Sequence, residues 1–143
     1  MGSEMCIRDR LWAYIPDASL FENLGNYYND LADAPHVYGL DGEIAFDVRR
    51  DPATQEIDKA VIFVGQRRGG KKYFAIDIEN AQSPTNPVAK LWTINEGDLP
   101  RMGQSWATPV LSTINFCEEN GNPASCGPKE VLVIAGGLSL IHI

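Results

Sequence analysis

From Glu43 onward the chain repeats one local pattern, a short run rich in Val, Ile, Phe and Tyr followed by a cluster of Gly, Pro, Asn or Asp. Such runs suit half-buried strands, and such clusters supply the backbone angles of turns. The spacing predicts strands at Glu43–Arg49, Lys59–Gln66, Lys72–Glu79, Ala89–Ile94, Ser105–Phe116 and Glu130–Ala135. In Lys72–Glu79 the period of two puts Tyr73, Ala75 and Asp77 on one face and Phe74, Ile76 and Ile78 on the other. Asp51-Pro52-Ala53-Thr54-Gln55 reads as a turn, Gly69-Gly70 as a tight hairpin using positive φ, and Ala81–Pro87 as a loop. No helical pattern interrupts this series, so the strands join as an antiparallel meander rather than a parallel sheet with crossovers. The fold class expected is all-β.

Two elements precede the meander. Leu11-Trp12-Ala13-Tyr14-Ile15-Pro16 has the composition of a short strand ended by proline. Ser19-Leu20-Phe21-Glu22 has capping-box spacing, and Leu20, Leu24, Tyr27 or Tyr28, and Leu31 recur at helical spacing, which predicts one short helix over Ser19–Leu31.

The termini read differently. Met5-Cys6-Ile7-Arg8-Asp9-Arg10 and Leu138-Ser139-Leu140-Ile141-His142-Ile143 can be encoded by reverse-complementary DNA that matches a transposase end used in sequencing libraries. Residues 1–10 and 138–143 are therefore expected to be adapter-derived, leaving Leu11 to Gly137 as native sequence cut from a longer protein. Cys6 and His142 leave the argument with them.

The whole chain of 143 residues carries 12 Lys+Arg against 19 Asp+Glu, a formal net charge of −7. That balance disfavours nucleic acid as a partner, because phosphate backbones are held by clustered cations. No apolar run approaches the roughly 20 residues of a membrane-spanning helix, so no membrane-spanning segment is expected.

An internal echo gives the meander a shape. Leu11-Trp12 returns as Leu91-Trp92, with three predicted strands between them. A unit of four antiparallel strands repeated radially is a propeller blade. The expectation is a partial β-propeller: the last strand of one blade, a complete blade over Glu43–Ile94, and the first strands of a third. A β-sandwich is the alternative.

Chemistry-bearing motifs are few. His36 stands alone beside Pro35, Ser105-Trp106 is no nucleophile elbow, and Asp47 and Asp77 read as outward carboxylates on strands. Trp12, Trp92 and Trp106 read as packing groups rather than stacking platforms. Arg67, Arg68, Lys71 and Lys72 surround a hairpin tip, where charge commonly serves solubility and blocks edge pairing. An acidic partner or lipid headgroups are the functional alternative. Gly69-Gly70 is no phosphate loop, since no Lys-Ser/Thr follows. No catalytic, cofactor-binding or metal-binding residues are assigned.

A family resemblance rests on Gly65-Gln66-Arg67-Arg68-Gly69-Gly70-Lys71-Lys72-Tyr73-Phe74-Ala75-Ile76-Asp77, then Leu91-Trp92, then Gly103-Gln104-Ser105-Trp106-Ala107-Thr108-Pro109. In this order the segments resemble the quinoprotein-like β-propeller of the PilC/PilY family, type IV pilus biogenesis proteins and tip adhesins of Gram-negative bacteria. Leu11–Pro16 and Tyr38-Gly39-Leu40-Asp41-Gly42 are similar to the opening of that propeller. The resemblance implies a non-catalytic segment acting in pilus assembly, surface attachment and twitching motility. Its partners would be pilus subunits or minor pilins and host or abiotic surfaces, and its location the periplasm, outer membrane or pilus surface. It implies a blade-packing motif of Ala75, Asp77, Trp92 and Trp106.

The sequence departs from the family at two places. Asp41-Gly42-Glu43-Ile44-Ala45-Phe46 lacks a small Ser-Pro-Thr-like continuation, and the loop carrying Cys117 and Cys126 looks like an insertion. In an exported protein those two cysteines would form a disulfide across a hairpin; free thiols are the alternative, and their spacing does not suit zinc. Calcium belongs to the full-length family protein, but no D-x-[DN]-x-[DN]-G loop occurs here, so no cofactor is expected in this segment. Two further readings share the blade repeat: a pyrroloquinoline-quinone-dependent dehydrogenase, and an outer-membrane assembly scaffold.

Overall fold

The computed structural model describes residues 11–16, 38–117 and 126–136. The expected helix Ser19–Leu31, His36 and both adapter-like ends lie outside them. The described residues are all-β, with no α-helix among them and a single 3₁₀ turn at Arg67–Gly69. Six strands follow in chain order: β1 (Ile44–Arg50), β2 (Ile57–Gly65), β3 (Tyr73–Asp77), β4 (Ala89–Ile94), β5 (Val110–Phe116) and β6 (Gly127–Val133). The first four form one antiparallel sheet in the order β1-β2-β3-β4, and β5 and β6 form a separate antiparallel pair. A four-stranded meander followed by a hairpin is the arrangement of one complete blade and the start of another.

The β1–β2 turn is built by Asp51. Its carboxylate accepts the N–H groups of Ala53 at 2.7 Å and Thr54 at 3.1 Å, while Pro52 has no N–H to leave unpaired. Beyond the turn, Ala60–Val64 are buried on both faces of β2, as are Tyr73–Ile76 on β3. These two central strands carry the core. Ile62, Val64, Phe74 and Ile76 form one layer, against which Tyr14, Ile78 and Val88 pack. Val61, Phe63 and Ala75 form the other, covered by Ala45, Trp92 and Leu132. Leu132 belongs to β6, so the hairpin stacks on one face of the four-stranded sheet while segment 11–16 touches the other.

Several expectations need correction. Leu11–Pro16 joins no ladder among the described residues, although its alternation persists: Trp12 and Tyr14 are half-buried, and Leu11, Ala13 and Ile15 are exposed. Strand character here is in the side chains, because a strand is completed only by a hydrogen-bonded neighbour. β5 starts at Val110 rather than Ser105, since Ser105 folds inward and Pro109 offers no N–H to a ladder. β6 starts at Gly127, before Glu130, because Pro128 takes part in a two-stranded sheet opposite Asn115. Gly69-Gly70 is not a two-residue hairpin turn. Positive φ occurs at Arg67, with φ 57°, and at Gly70, with φ 156°, as expected for the second glycine, while Gly69 is required because a Cβ there would overlap the backbone carbonyls of Tyr38 and Gly39.

Candidate functional site

Residues 38–43, 65–72 and 103–109, three of the segments that carry the family resemblance, meet at one end of the sheet. Gln66 is buried, and its Oε1 accepts the Lys72 N–H at 3.1 Å, closing the loop between β2 and β3. Its carbonyl receives the N–H groups of Gly69 at 3.0 Å and Asp41 at 3.3 Å, which ties residues 38–43 to the same loop. Ser105, 1% exposed, enters from the other side. Its hydroxyl accepts the Arg67 N–H at 3.1 Å and lies 3.0 Å from the Lys72 carbonyl and 3.3 Å from that of Gly70. Gly65 allows this approach, because a Cβ there would stand 2.7 Å from the Ser105 carbonyl oxygen and 2.9 Å from the Tyr73 ring.

Three of the four cationic side chains of the loop have an intramolecular partner, and the fourth residue is held through its backbone. Arg67 lies over the Trp106 ring at 5.2 Å, and Arg68 over the Tyr38 ring at 5.5 Å, with its Nε 3.6 Å from the Asp41 carboxylate. Lys71 pairs with Glu96, and the Lys72 backbone bonds to Gln66. The basic run therefore clamps neighbouring loops together.

Below this clamp the sheet is fastened to the hairpin by polar contacts. The Tyr73 hydroxyl lies 3.1 Å from the Ala107 carbonyl and 3.2 Å from that of Ala135, and burial raises its pKa despite the Ala107 bond. Thr108 donates to Glu43 at 2.8 Å. Asp47 is not the outward carboxylate expected from the sequence. It is 8% exposed and receives Lys59 Nζ and the Arg49 guanidinium. Arg49 reaches on to Glu130 of β6. The Lys59 bond, then Arg49, hold the Asp47 carboxyl below its ordinary value, against the opposing effect of burial.

The expected packing residues divide. Ala75 is fully buried and pairs with Trp92 across β3 and β4, and Trp92 packs on Phe63 with ring centroids 5.9 Å apart. Asp77 lies at the end of β3, where its carboxylate accepts the Glu79 N–H at 2.8 Å and starts the following turn. Trp106 lies apart from them at the clamp, 36% exposed, with its Nε1 donating to Gln104 at 3.0 Å. Cys117 and Cys126 are joined as a disulfide with Cα atoms 4.0 Å apart, at the rung that follows Phe116 opposite Gly127. Asp47, Ser105 and the Tyr73 hydroxyl were not foreseen as contacts. The one sequence signal was the shared face of Asp47 and Arg49.

Among the described residues no three His, Cys, Asp or Glu side chains converge as metal ligands. Asp41, the one acid of the Asp-Gly pair, is engaged by Arg68, so these residues do not fit a calcium loop. A shallow apolar depression of about 480 Å³ is lined by Leu99, Pro100, Arg101, Met102 and Gly136, without a nucleophile or paired acids. No helix among the described residues is long and apolar enough to cross a membrane. Comparison with protein-family models, curated proteins and solved structures found no match.

Proposed function

We propose that the chain is a non-catalytic piece of the propeller of a PilC/PilY-type protein, serving pilus assembly and surface attachment through protein–protein and protein–surface contacts. The observation that supports this reading most is the clamp. Gly65–Asp77 and Gly103–Pro109, which carry much of the resemblance, are separate in sequence and join through Ser105, at Arg67, Gly70 and Lys72, and through the Tyr73 hydroxyl at Ala107. Leu91-Trp92 completes the blade as its fourth strand, with Trp92 facing the hairpin side. Arg67, Arg68, Lys71, Ser105 and Asp47 each hold loops or sheets together.

The test is deletion of the complete gene in its host, followed by counting surface pili and measuring attachment and twitching. Loss of these functions, restored by the intact gene, is expected. Unchanged piliation, or dye-linked alcohol oxidation by the purified product after addition of pyrroloquinoline quinone, would overturn the proposal.

A further inference from the structure

Residues 95–102, between β4 and β5, form a turn fixed by its own hydrogen bonds. The Asn95 carbonyl accepts the N–H groups of Asp98 at 3.1 Å and Leu99 at 3.0 Å, the Asp98 carboxylate accepts the Asn95 N–H at 3.0 Å, and the Leu99 carbonyl accepts the Met102 N–H at 2.8 Å. Gly103 then donates to the Gly136 carbonyl at 2.6 Å, which fastens the turn to the chain just after β6. The apolar depression of about 480 Å³ lies where these two segments meet, walled by Leu99, Pro100, Arg101, Met102 and Gly136. Its size falls within the roughly 300–1,000 Å³ of sites that hold small molecules, and its walls are set before any ligand arrives.

The lining indicates what fits. Met102 is buried and Leu99 is 44% exposed, so the wall passes from core to surface through apolar side chains. A Cβ on Gly136 would meet nothing within 4 Å, which leaves that side open. Arg101 is the one charged residue of the lining. It is exposed, and among the described residues its side chain has no ion pair or hydrogen bond, unlike Arg49, Arg68 and Lys71. A guanidinium with free donors beside an apolar hollow matches a carboxylate at the end of an apolar body. The walls offer little to a peptide: Pro100 has no N–H, and the carbonyls of Leu99 and Gly136 already accept Met102 and Gly103. Peptide amides buried here would go unpaired, at a cost that an unbranched aliphatic chain does not incur.

We infer that this depression binds an apolar monocarboxylate, a medium-chain aliphatic acid, with its chain against Leu99, Pro100 and Met102 and its carboxylate on the Arg101 guanidinium. The site goes beyond the pilus reading and does not rest on it. Residues 17–37 and 137–143 lie outside the described ones, and a depression filled by either of them in the complete protein would leave the acid no place, an outcome that the test reads directly.

Calorimetric titration of the complete protein with octanoate, and with octanol as the same chain lacking the carboxylate, tests it. Octanoate should bind, and octanol about tenfold more weakly or worse, the scale of one charge-assisted pair. Arg101→Gln, at an exposed position, should weaken octanoate by about the same factor and leave octanol unchanged. Gly136→Leu, which adds a side chain at the open wall, should abolish binding of both. Thermal melting shows whether each variant stays folded, and should Gly136→Leu disturb folding, the Arg101→Gln comparison decides. No octanoate binding, equal affinity for octanoate and octanol, or an Arg101→Gln variant that binds octanoate as wild type does would overturn the inference. So would tighter binding of a leucine-ended dipeptide with a free carboxylate than of octanoate.

Discussion

Asp47 shares a strand face with Ala45, and its burial is tolerable because Lys59 and Arg49 both reach its carboxylate. Since its folded pKa lies below the ordinary value of 3.8, its stabilising contribution is complete above about pH 4. That contribution is lost as the pH falls further, through the depressed folded value. Asp47→Asn in the complete protein should cost about 1.5–3 kcal/mol near neutrality, the range for hydrogen bonds to a charged group. Its stability should also fall less steeply than wild type below pH 4, as read by urea denaturation across pH. Ser105→Ala should cost about 1–2 kcal/mol, because the Arg67 N–H would lose its acceptor inside the clamp. The same denaturation series checks it, and a variant as stable as wild type would remove Ser105 from the account. Neither role could be read from the sequence. An Asp in an alternating strand ordinarily faces water, and what reverses this is Lys59, brought across the β1–β2 pair, and Glu130, brought from β6.

Among the elements, legibility followed hydrogen-bond self-sufficiency. β1 to β4 carry their own alternation and their own turn residues, and the expected strands fall within a few residues of those observed. The boundaries moved where backbone hydrogen bonding depends on distant groups. Ser105 leaves the strand to serve the β2–β3 loop, and Pro128 is accepted because the hairpin has only two strands. Of the glycine pair at the β2–β3 tip, Gly70 takes the positive φ that its residue type suggests, whereas Gly69 is there for the close approach of residues 38–39. At the end of the β5–β6 hairpin, the disulfide closes a loop of about ten residues, a constraint worth about 2.5–3 kcal/mol by chain entropy. Its removal by Cys117→Ser with Cys126→Ser should therefore speed amide hydrogen exchange in β5 and β6 while leaving β2 and β3 protected. Equal acceleration throughout would show that the hairpin and sheet unfold as one unit.

For the whole molecule, the arrangement that matters is a central four-stranded sheet with the two-stranded β5–β6 hairpin on one face and segment 11–16 on the other. The exposed Ile44, Phe46 and Val48 of β1 and Val110, Ile114 and Phe116 of β5 are the surfaces that neighbouring blades would cover. Residues 11–137 expressed alone should consequently aggregate or remain partly molten, as size-exclusion chromatography and thermal melting would report. A monomer with a sharp cooperative melt would oppose that expectation. The repeat of Leu-Trp points to the blade in the sequence, with a sandwich as the alternative reading of a run of antiparallel strands. Both layers of β2 and β3 are buried, one under the β5–β6 hairpin and one beside Tyr14, which supports the blade reading. The most direct test is a structure of the complete gene product by cryo-electron microscopy or crystallography. The account predicts β1–β4 as one blade with four-stranded sheets packed on both faces and Ile44, Phe46 and Val48 buried. A two-sheet sandwich, with that stripe facing solvent, would contradict it.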